Sequence, residues 1–254
     1  MRVKLTVAYD GTNYHGWQIQ NNALSVEEVL AGALRELLGE EIELTGASRT
    51  DAGVHALGNV AVFDTNTRIP AEKIALAVNQ RLPEDIRVMR SEEVSRSFHP
   101  RYCVSRKTYE YWITNAEIQQ PVKRLYSYFV YIPLDVERMK ETAQYFLGEH
   151  DFGAFCSAGS QVRSTVRSIY DLQIFQEGED IRIQITGNGF LYNMVRIIAG
   201  TLIEIGMGRR EPETVCQALH YADRNMAGPT APARGLRLLQ IEYEENRQEY
   251  GDDH

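Results

Sequence analysis

The segment Arg49-Thr50-Asp51-Ala52-Gly53-Val54-His55 places an arginine, an aspartate and a histidine within seven positions of one short stretch. An aspartate beside a guanidinium stays ionised and can act as a nucleophile or as a base. The same residues also have a structural explanation, because Asp-x-Gly is common in turns and a hairpin loop would account for it. The residues alone leave both interpretations open, with Asp51 as the candidate catalytic carboxylate.

Hydrophobic spacing around this segment predicts the elements that would position it. In order, these are a half-buried strand over 2–9, a helix that Ser25 starts with a capping box, a strand ending near Gly46, a strand from about Leu57 to Phe63, a helix after Pro70 and a short strand with Ile86 and Val88. The first part of the chain therefore has the predicted order β-α-β-β-α-β.

The second part repeats that order. Its predicted elements are a strand with Tyr109, Tyr111 and Ile113, a helix capped by Asp135, strands over 169–175 and 181–185, a helix from about Phe190 to Ile205, and a closing strand with Leu236, Leu238, Ile241 and Tyr243. Two copies predict an α+β fold of two ferredoxin-like halves, 1–100 and 101–254. We expect their antiparallel sheets to lie side by side with an active-site cleft between them.

The bulk composition limits the possible classes of protein. The net charge of −8 has the wrong sign for a nucleic-acid binder, although a basic cleft is compatible with it. Part of that charge lies in an acidic C-terminal tail, residues 242–253, which we expect to be solvated and without a role. No apolar run approaches the roughly 20 residues that span a bilayer, and the N-terminus does not resemble a signal peptide, so a cytoplasmic protein is predicted. Three separated cysteines argue against disulfides and zinc, and Cys216 with His220 is only a weak metal candidate.

Five motifs, taken together, carry a family resemblance. They are Tyr9–Gln20 (YDGTNYHGWQIQ), Arg49–His55, Phe98–Arg101 followed by Arg106–Tyr111, Gly189–Arg196 followed by Gly200–Leu202, and Ala231–Leu236. In these motifs the chain resembles the tRNA pseudouridine synthase A family, in family order and over nearly the whole length. Two departures are Ser48, where the family usually has glycine, and Ser25-Val26-Glu27-Glu28, where it usually has Thr-Val-Gln.

The resemblance implies a set of catalytic roles. Asp51 would be the essential carboxylate, Arg196 its partner from the opposite half, and Tyr109 the residue that stacks on the uracil. Arg49 would hold the extruded nucleotide or fill its place. Without the resemblance, Tyr109 would be interpreted as a core tyrosine. For Arg196, a solvated arginine and a partner of Asp51 would both remain open.

The implied reaction breaks the C1′–N1 bond of uridine, rotates the uracil and joins C5 to C1′, after the base has been flipped out of its stack. Asp51 would attack C1′ or remove the C2′ proton, and the sequence leaves both routes open. Neither a metal nor a cofactor is expected. The implied partners are tRNA, at positions 38 to 40 of the anticodon stem-loop, and a second copy of the chain in a homodimer. The candidate phosphate-binding residues are Arg101, Arg106, Lys107, Arg163, Arg167, Arg209, Arg210 and Arg234.

Two other functions remain alternatives at this point. One is an RNA-binding module without activity, because ferredoxin-like sheets are used in that way. The other is a nucleosidase or glycosidase, which usually needs a second carboxylate; Asp10, Asp64 and Asp151 are the candidates for it.

Overall fold

A computed structural model describes residues 1–159 and 162–244. Its strands are β1 (Arg2–Tyr9), β2 (Thr45–Gly46), β3 (His55–Asp64), β4 (Ile86–Val94), β5 (Ser105–Asn115), β6 (Tyr128–Val130), β7 (Gly148–Asp151), β8 (Val166–Glu177), β9 (Asp180–Gly187) and β10 (Leu236–Tyr243). Its helices are α1 (Val26–Leu38), α2 (Ala71–Val78), α3 (Val136–Ala143), α4 (Met194–Gly206) and α5 (Glu213–Tyr221). The predicted α+β class is confirmed. Most of the acidic tail lies outside the described residues.

One face of the sheet is turned toward the core, as the alternating burial of side chains along β1 shows. On β1 the buried side chains include Val3, Leu5 and Val7, and they join one hydrophobic core with side chains from all five helices. The first helix begins where predicted, because the Ser25 hydroxyl accepts a hydrogen bond from Glu28 N at 3.3 Å. Local sequence therefore accounts for these boundaries.

The late helix begins later than predicted. The spacing predicted a start near Phe190, whereas α4 starts at Met194. Asn193 has a φ of 61°, a left-handed conformation that asparagine tolerates better than most residues and that cannot continue an α-helix. The apolar periodicity extends through this residue, so the pattern does not reveal the break.

The two predicted sheets are joined into one continuous sheet of order β4-β1-β3-β10-β5-β9-β8-β7, with β2 beside β3 and β6 beside β5. The junction is a short parallel pairing of β10 with β3, in which Arg237 lies opposite His55. The last strand of the described residues, β10, thus connects the two parts edge to edge. The ferredoxin-like character of each half and the division into 1–100 and 101–254 stay predictions.

Among the described residues, no helix combines the length and the apolar character needed to cross a bilayer.

Candidate active site

Asp51 lies in the loop 47–54 between β2 and β3, which we call the Asp51 loop. Buried polar side chains from the first part of the chain hold this loop. The Thr50 hydroxyl is 2.7 Å from the Tyr9 hydroxyl, and Asn59 Nδ2 donates to the Ser48 carbonyl at 3.1 Å. Because these contacts come from neighbouring strands, the loop has one defined path.

A tight turn presents the Asp51 side chain. Val54 N donates to the Asp51 carbonyl at 3.1 Å, and Gly53 adopts a φ of +77° inside the turn. The structural explanation of Asp-x-Gly is therefore correct, and it is compatible with a catalytic role, because a rigid turn holds a carboxylate in place.

Gly16→Ala is expected to destabilise the protein through this loop. Gly16 has a φ of +89°, and a Cβ there would lie 2.5 Å from the Thr50 carbonyl oxygen. Backbone strain and the clash together should lower the free energy of unfolding by roughly 2–5 kcal/mol. Gly39→Ala is the matched control, because its φ is +68° and no atom lies within 4 Å of its added Cβ. Urea unfolding of both variants measures the difference, and equal losses would contradict the contact with the loop.

Arg196 on α4 reaches the Asp51 carboxylate from the second part of the chain. Its Nη1 lies 3.4 Å from Asp51 Oδ2 and 2.7 Å from Asn193 Oδ1, while its Nε donates to the Ala231 carbonyl at 2.8 Å. Three acceptors therefore hold the guanidinium, and its contact with Asp51 is the longest of the three. Asn193 and the Ala231 carbonyl therefore fix the guanidinium in position, although its ion pair with Asp51 is long.

Burial raises the pKa of Asp51 above its ordinary value, and the attraction of Arg196 opposes that rise without cancelling it. The sequence alone predicts only the effect of the guanidinium, which favours the ionised form. The structure adds desolvation, the larger of the two effects, because the Asp51 side chain is only 23% exposed. Asp51 is thus a partly desolvated carboxylate whose ionisation depends on one arginine.

This raised pKa has a consequence for stability. The native state binds the Asp51 proton more tightly than the unfolded chain, so the contribution of Asp51 to stability falls as pH rises above its ordinary pKa. Asp51→Asn removes the buried charge and should therefore melt at the same or a higher temperature at neutral pH. Thermal unfolding at neutral pH checks this, and a lower melting temperature would mean that the ion pair outweighs the desolvation.

Tyr109 lies on β5 between β9 and β10 and is 8% exposed. Its ring packs edge to face against Phe190 at 5.2 Å. Burial raises the pKa of Tyr109 to about 12, a hydrogen bond with the Ser48 side chain opposes this, and the nearby charge of Asp51 adds to it. Tyr109 is thus a packed core tyrosine close to Asp51, and its stacking on the uracil stays a prediction.

Three cations, Arg101, Lys107 and Arg167, gather beside the Asp51 loop, and together with Arg49 of the loop itself they form what we call the cation cluster. Burial and the charges of Arg101 and Arg167 lower the pKa of Lys107 to about 8. Burial, with the charge of Arg49, also lowers the pKa of Arg101, and burial lowers that of Arg167. These cations repel one another, and a polyanionic ligand that bound among them would relieve the repulsion.

The other candidate phosphate-binding residues are more dispersed. Arg106 lies over the Tyr170 ring at 5.0 Å, Arg234 donates to the Ser127 carbonyl at 3.3 Å, and Arg163 and Arg209 are exposed. Arg210 pairs with Glu204 at 3.0 Å, so it has less capacity for a phosphate.

The carboxylates that a glycosidase would need have other partners. Asp64 pairs with Arg2 at 2.7 Å, the Tyr126 hydroxyl donates to Asp10 at 2.7 Å, and Gly153 N donates to Asp151 at 2.8 Å. Among the described residues, no group of three or more histidine, cysteine or acidic side chains is arranged to hold a metal ion.

Two residues at the site received no role from the sequence. Asn193 holds Arg196 through Oδ1 and donates to Ser157 Oγ at 2.9 Å; the helix predicted from Phe190 included it, so only its place in the motif Gly189–Arg196 marked it. His55 Nδ1 lies 3.1 Å from both Gly11 N and Asp10 Oδ1, and its Nε2 lies 3.1 Å from the Leu125 carbonyl. The His55 ring therefore connects the segment that contains Gly11 with the segment that contains Leu125.

A cavity of about 380 Å³ opens beside His55, Asp10, Asp85 and Arg237, and its lining includes none of Asp51, Tyr109 and Arg196. Because it holds none of the three converging side chains, the Asp51 loop and not this cavity remains the candidate site.

Comparisons with known proteins show the family to which the chain belongs. A family model described as tRNA pseudouridine synthase matches residues 5–103 and 142–244, which include the Asp51 loop and α4. The tRNA pseudouridine synthase A of Thermoanaerobacter sp. (strain X514) is 52% identical over 241 residues, which are 95% of this chain and 99% of that protein. The protein of the same name from Ruminiclostridium cellulolyticum is 51% identical over 243 residues, again 95% and 99%. That of Brevibacillus brevis is 43% identical over 242 residues, with the same coverage.

Proposed function

Since the chain belongs to the tRNA pseudouridine synthase family, we propose that it isomerises uridine to pseudouridine in tRNA, in the anticodon stem-loop around positions 38 to 40. The observation that carries the proposal is the convergence of Asp51, Tyr109 and Arg196 from three separate elements. A partly desolvated carboxylate, an aromatic ring and a guanidinium are what the rearrangement of a flipped uridine needs.

The reaction conserves the atoms of the uracil apart from proton exchange with water. The C1′–N1 bond breaks, C5 bonds to C1′, the C5 hydrogen leaves as a proton, and N1 gains one. Asp51 acts as the carboxylate that attacks C1′ or takes the C2′ proton. Its limited hydration supports either role, because a desolvated carboxylate is more reactive than one in water.

Arg196 keeps this carboxylate ionised and orients it. The 3.4 Å separation of Arg196 Nη1 from Asp51 Oδ2 supports an ion pair, and the two shorter bonds of Arg196 support a fixed guanidinium. Tyr109 supplies the surface on which the uracil packs, a contact that is worth roughly 1–3 kcal/mol per base. This interaction offsets part of the cost of flipping the base.

The cation cluster supports binding of RNA in spite of the net charge of −8. Arg106, Arg163 and Arg234 would contact more distant phosphates, and Arg49 would hold the extruded nucleotide. We also propose that the enzyme works in the cytoplasm, where tRNA is found.

The chain is further proposed to act as a homodimer. Two exposed aromatic side chains on β8, Tyr170 and Phe175, support a surface for a second copy, and two copies would present more basic surface to one tRNA. Sedimentation should give about twice the chain mass of 28.9 kDa. A fully active species near 28.9 kDa would contradict this.

The test of the function is tritium release from tRNA that carries tritium at uracil C5, with analysis of the products. Release without free uracil is expected, and unlabelled tRNA should be converted without a change in mass. Free uracil would indicate a glycosidase, and binding without release would indicate a module without activity. Substrates that retain a single uridine at position 38, 39 or 40 then identify the target, and release from uridines elsewhere would contradict the proposed location.

A further inference from the structure

Three consecutive carbonyls, that of Gly46 at the end of β2 and those of Ala47 and Ser48 at the start of the Asp51 loop, each accept a hydrogen bond from a different side chain. Arg101 Nε donates to the Gly46 carbonyl at 2.7 Å, and Lys107 Nζ donates to the Ala47 carbonyl at 3.0 Å. Asn59 Nδ2 donates to the Ser48 carbonyl at 3.1 Å. Two of the three donors are therefore cations that come from the second part of the chain.

Arg101 and Lys107 keep most of their hydrogen-bonding capacity. A lysine has three donors and an arginine five, and each side chain uses one on the loop. Within the part of the chain that the structure describes, neither has a carboxylate at ion-pair distance. Their remaining donors and their charges are thus available to an anion.

The position of Lys107 puts such an anion beside the target base. Lys107 and Tyr109 are two residues apart on β5, so they share one face of the sheet at a separation of about 6.6 Å along the strand. Tyr109 in turn lies close to Asp51 and to the Ser48 side chain. A phosphate bound at Lys107 would belong to a nucleotide at, or next to, the one that packs on Tyr109.

We propose that Lys107 and Arg101 are positioning residues that couple the binding of an RNA backbone phosphate beside the target uridine to the placement of Asp51. Each holds a carbonyl of the segment entering the Asp51 loop and offers its other donors to the phosphate. This inference rests on the proposed function. It gives the two residues a role in the catalytic rate that an ordinary phosphate contact lacks.

The first test separates binding from placement with Lys107→Met, Lys107→Arg and a control, Lys140→Met, whose side chain pairs with Glu137 at 2.8 Å on the surface of α3. The dependence of tRNA affinity on salt and the single-turnover rate at saturating tRNA are measured for each. Lys107→Met should lower the salt slope by about one and the saturating rate by roughly 10- to 100-fold. Lys107→Arg should restore both, and Lys140→Met should resemble the wild type.

The second test uses the wild type, so that a failure of Lys107→Met to fold does not leave the idea unexamined. The charged groups that act on Lys107 are Arg101 and Arg167; Arg101 is itself close to Arg49, Arg167 to Cys156, and Tyr109 to Asp51. Because the pKa of Lys107 is about 8 and a phosphate favours its protonated form, tRNA binding should weaken about tenfold between about pH 7 and pH 9. Lys107→Arg should remove that dependence, since arginine stays charged and every other residue is the same in both proteins.

A lower salt slope at an unchanged saturating rate would make Lys107 an ordinary phosphate contact and overturn the coupling. A lower rate at an unchanged slope would make it only a support of the loop and would overturn the coupling as well. So would the same pH dependence in the wild type and Lys107→Arg. A wild type that binds tRNA and releases no tritium would instead overturn the proposed function.

Discussion

Asp51→Asn is expected to lower the rate of pseudouridine formation by roughly 10⁴-fold, as the loss of an essential catalytic carboxylate does. The amide has the same shape, so the turn closed by Val54 N and the bonds of Arg196 to Asn193 and Ala231 should remain. The change removes the charge and the reacting oxygen while tRNA affinity changes little. Single-turnover tritium release at saturating tRNA measures the rate, and filter binding measures the affinity.

Asp64→Asn is the matched control for this experiment. Asp64 lies at the end of β3, where it pairs with Arg2 at 2.7 Å, and its side chain is 63% exposed. Loss of an exposed pair changes stability by less than about 1 kcal/mol and should leave the rate unchanged. Tritium release by Asp51→Asn at the wild-type rate would remove Asp51 from the mechanism and leave the loop an ordinary turn.

Arg196→Met is expected to lower the rate by roughly 10²- to 10³-fold at neutral pH, the size of effect seen when one preorganised charged donor is removed. Arg196 is the group that opposes the rise in the pKa of Asp51. Without it that pKa rises further, and less of the reactive carboxylate is ionised. Since the ionised form reacts, the rate of the variant should increase as pH rises through the new pKa, so that part of the loss is recovered in alkali.

The pH profile of the single-turnover rate between about pH 5 and pH 9 is the measurement, because it reports the ionisation of the essential group. Arg210→Met is the control, because that arginine bonds Glu204 and the Met226 carbonyl. The same loss of rate at every pH in Arg196→Met would mean that the arginine does not act through the ionisation of Asp51. Circular dichroism establishes that both variants are folded.

Most secondary structure could be predicted from local patterns. The alternation in β1 and the Ser25 cap of α1 are properties of adjacent residues, because side-chain direction repeats every two residues in a strand and capping involves residues three apart. The start of α4 could not be predicted in this way, since Asn193 leaves the helical conformation without interrupting the apolar spacing. The motifs in turn were sufficient for the family resemblance, which the comparisons confirmed.

Only the tertiary structure decided how the candidate site is assembled. Asp51 and Arg196 are 145 positions apart, and they meet because β10, the last strand, inserts between β3 and β5. The order of strands in a sheet depends on packing across the whole chain, which no local period encodes. Ionisation also depends on tertiary structure: burial raises the pKa of Asp51 against the opposing effect of Arg196, and burial with the charges of Arg101 and Arg167 lowers the pKa of Lys107. The sequence by itself determined which residues are available for the chemistry and which elements carry them, whereas their distances and charge states arose from long-range packing and desolvation.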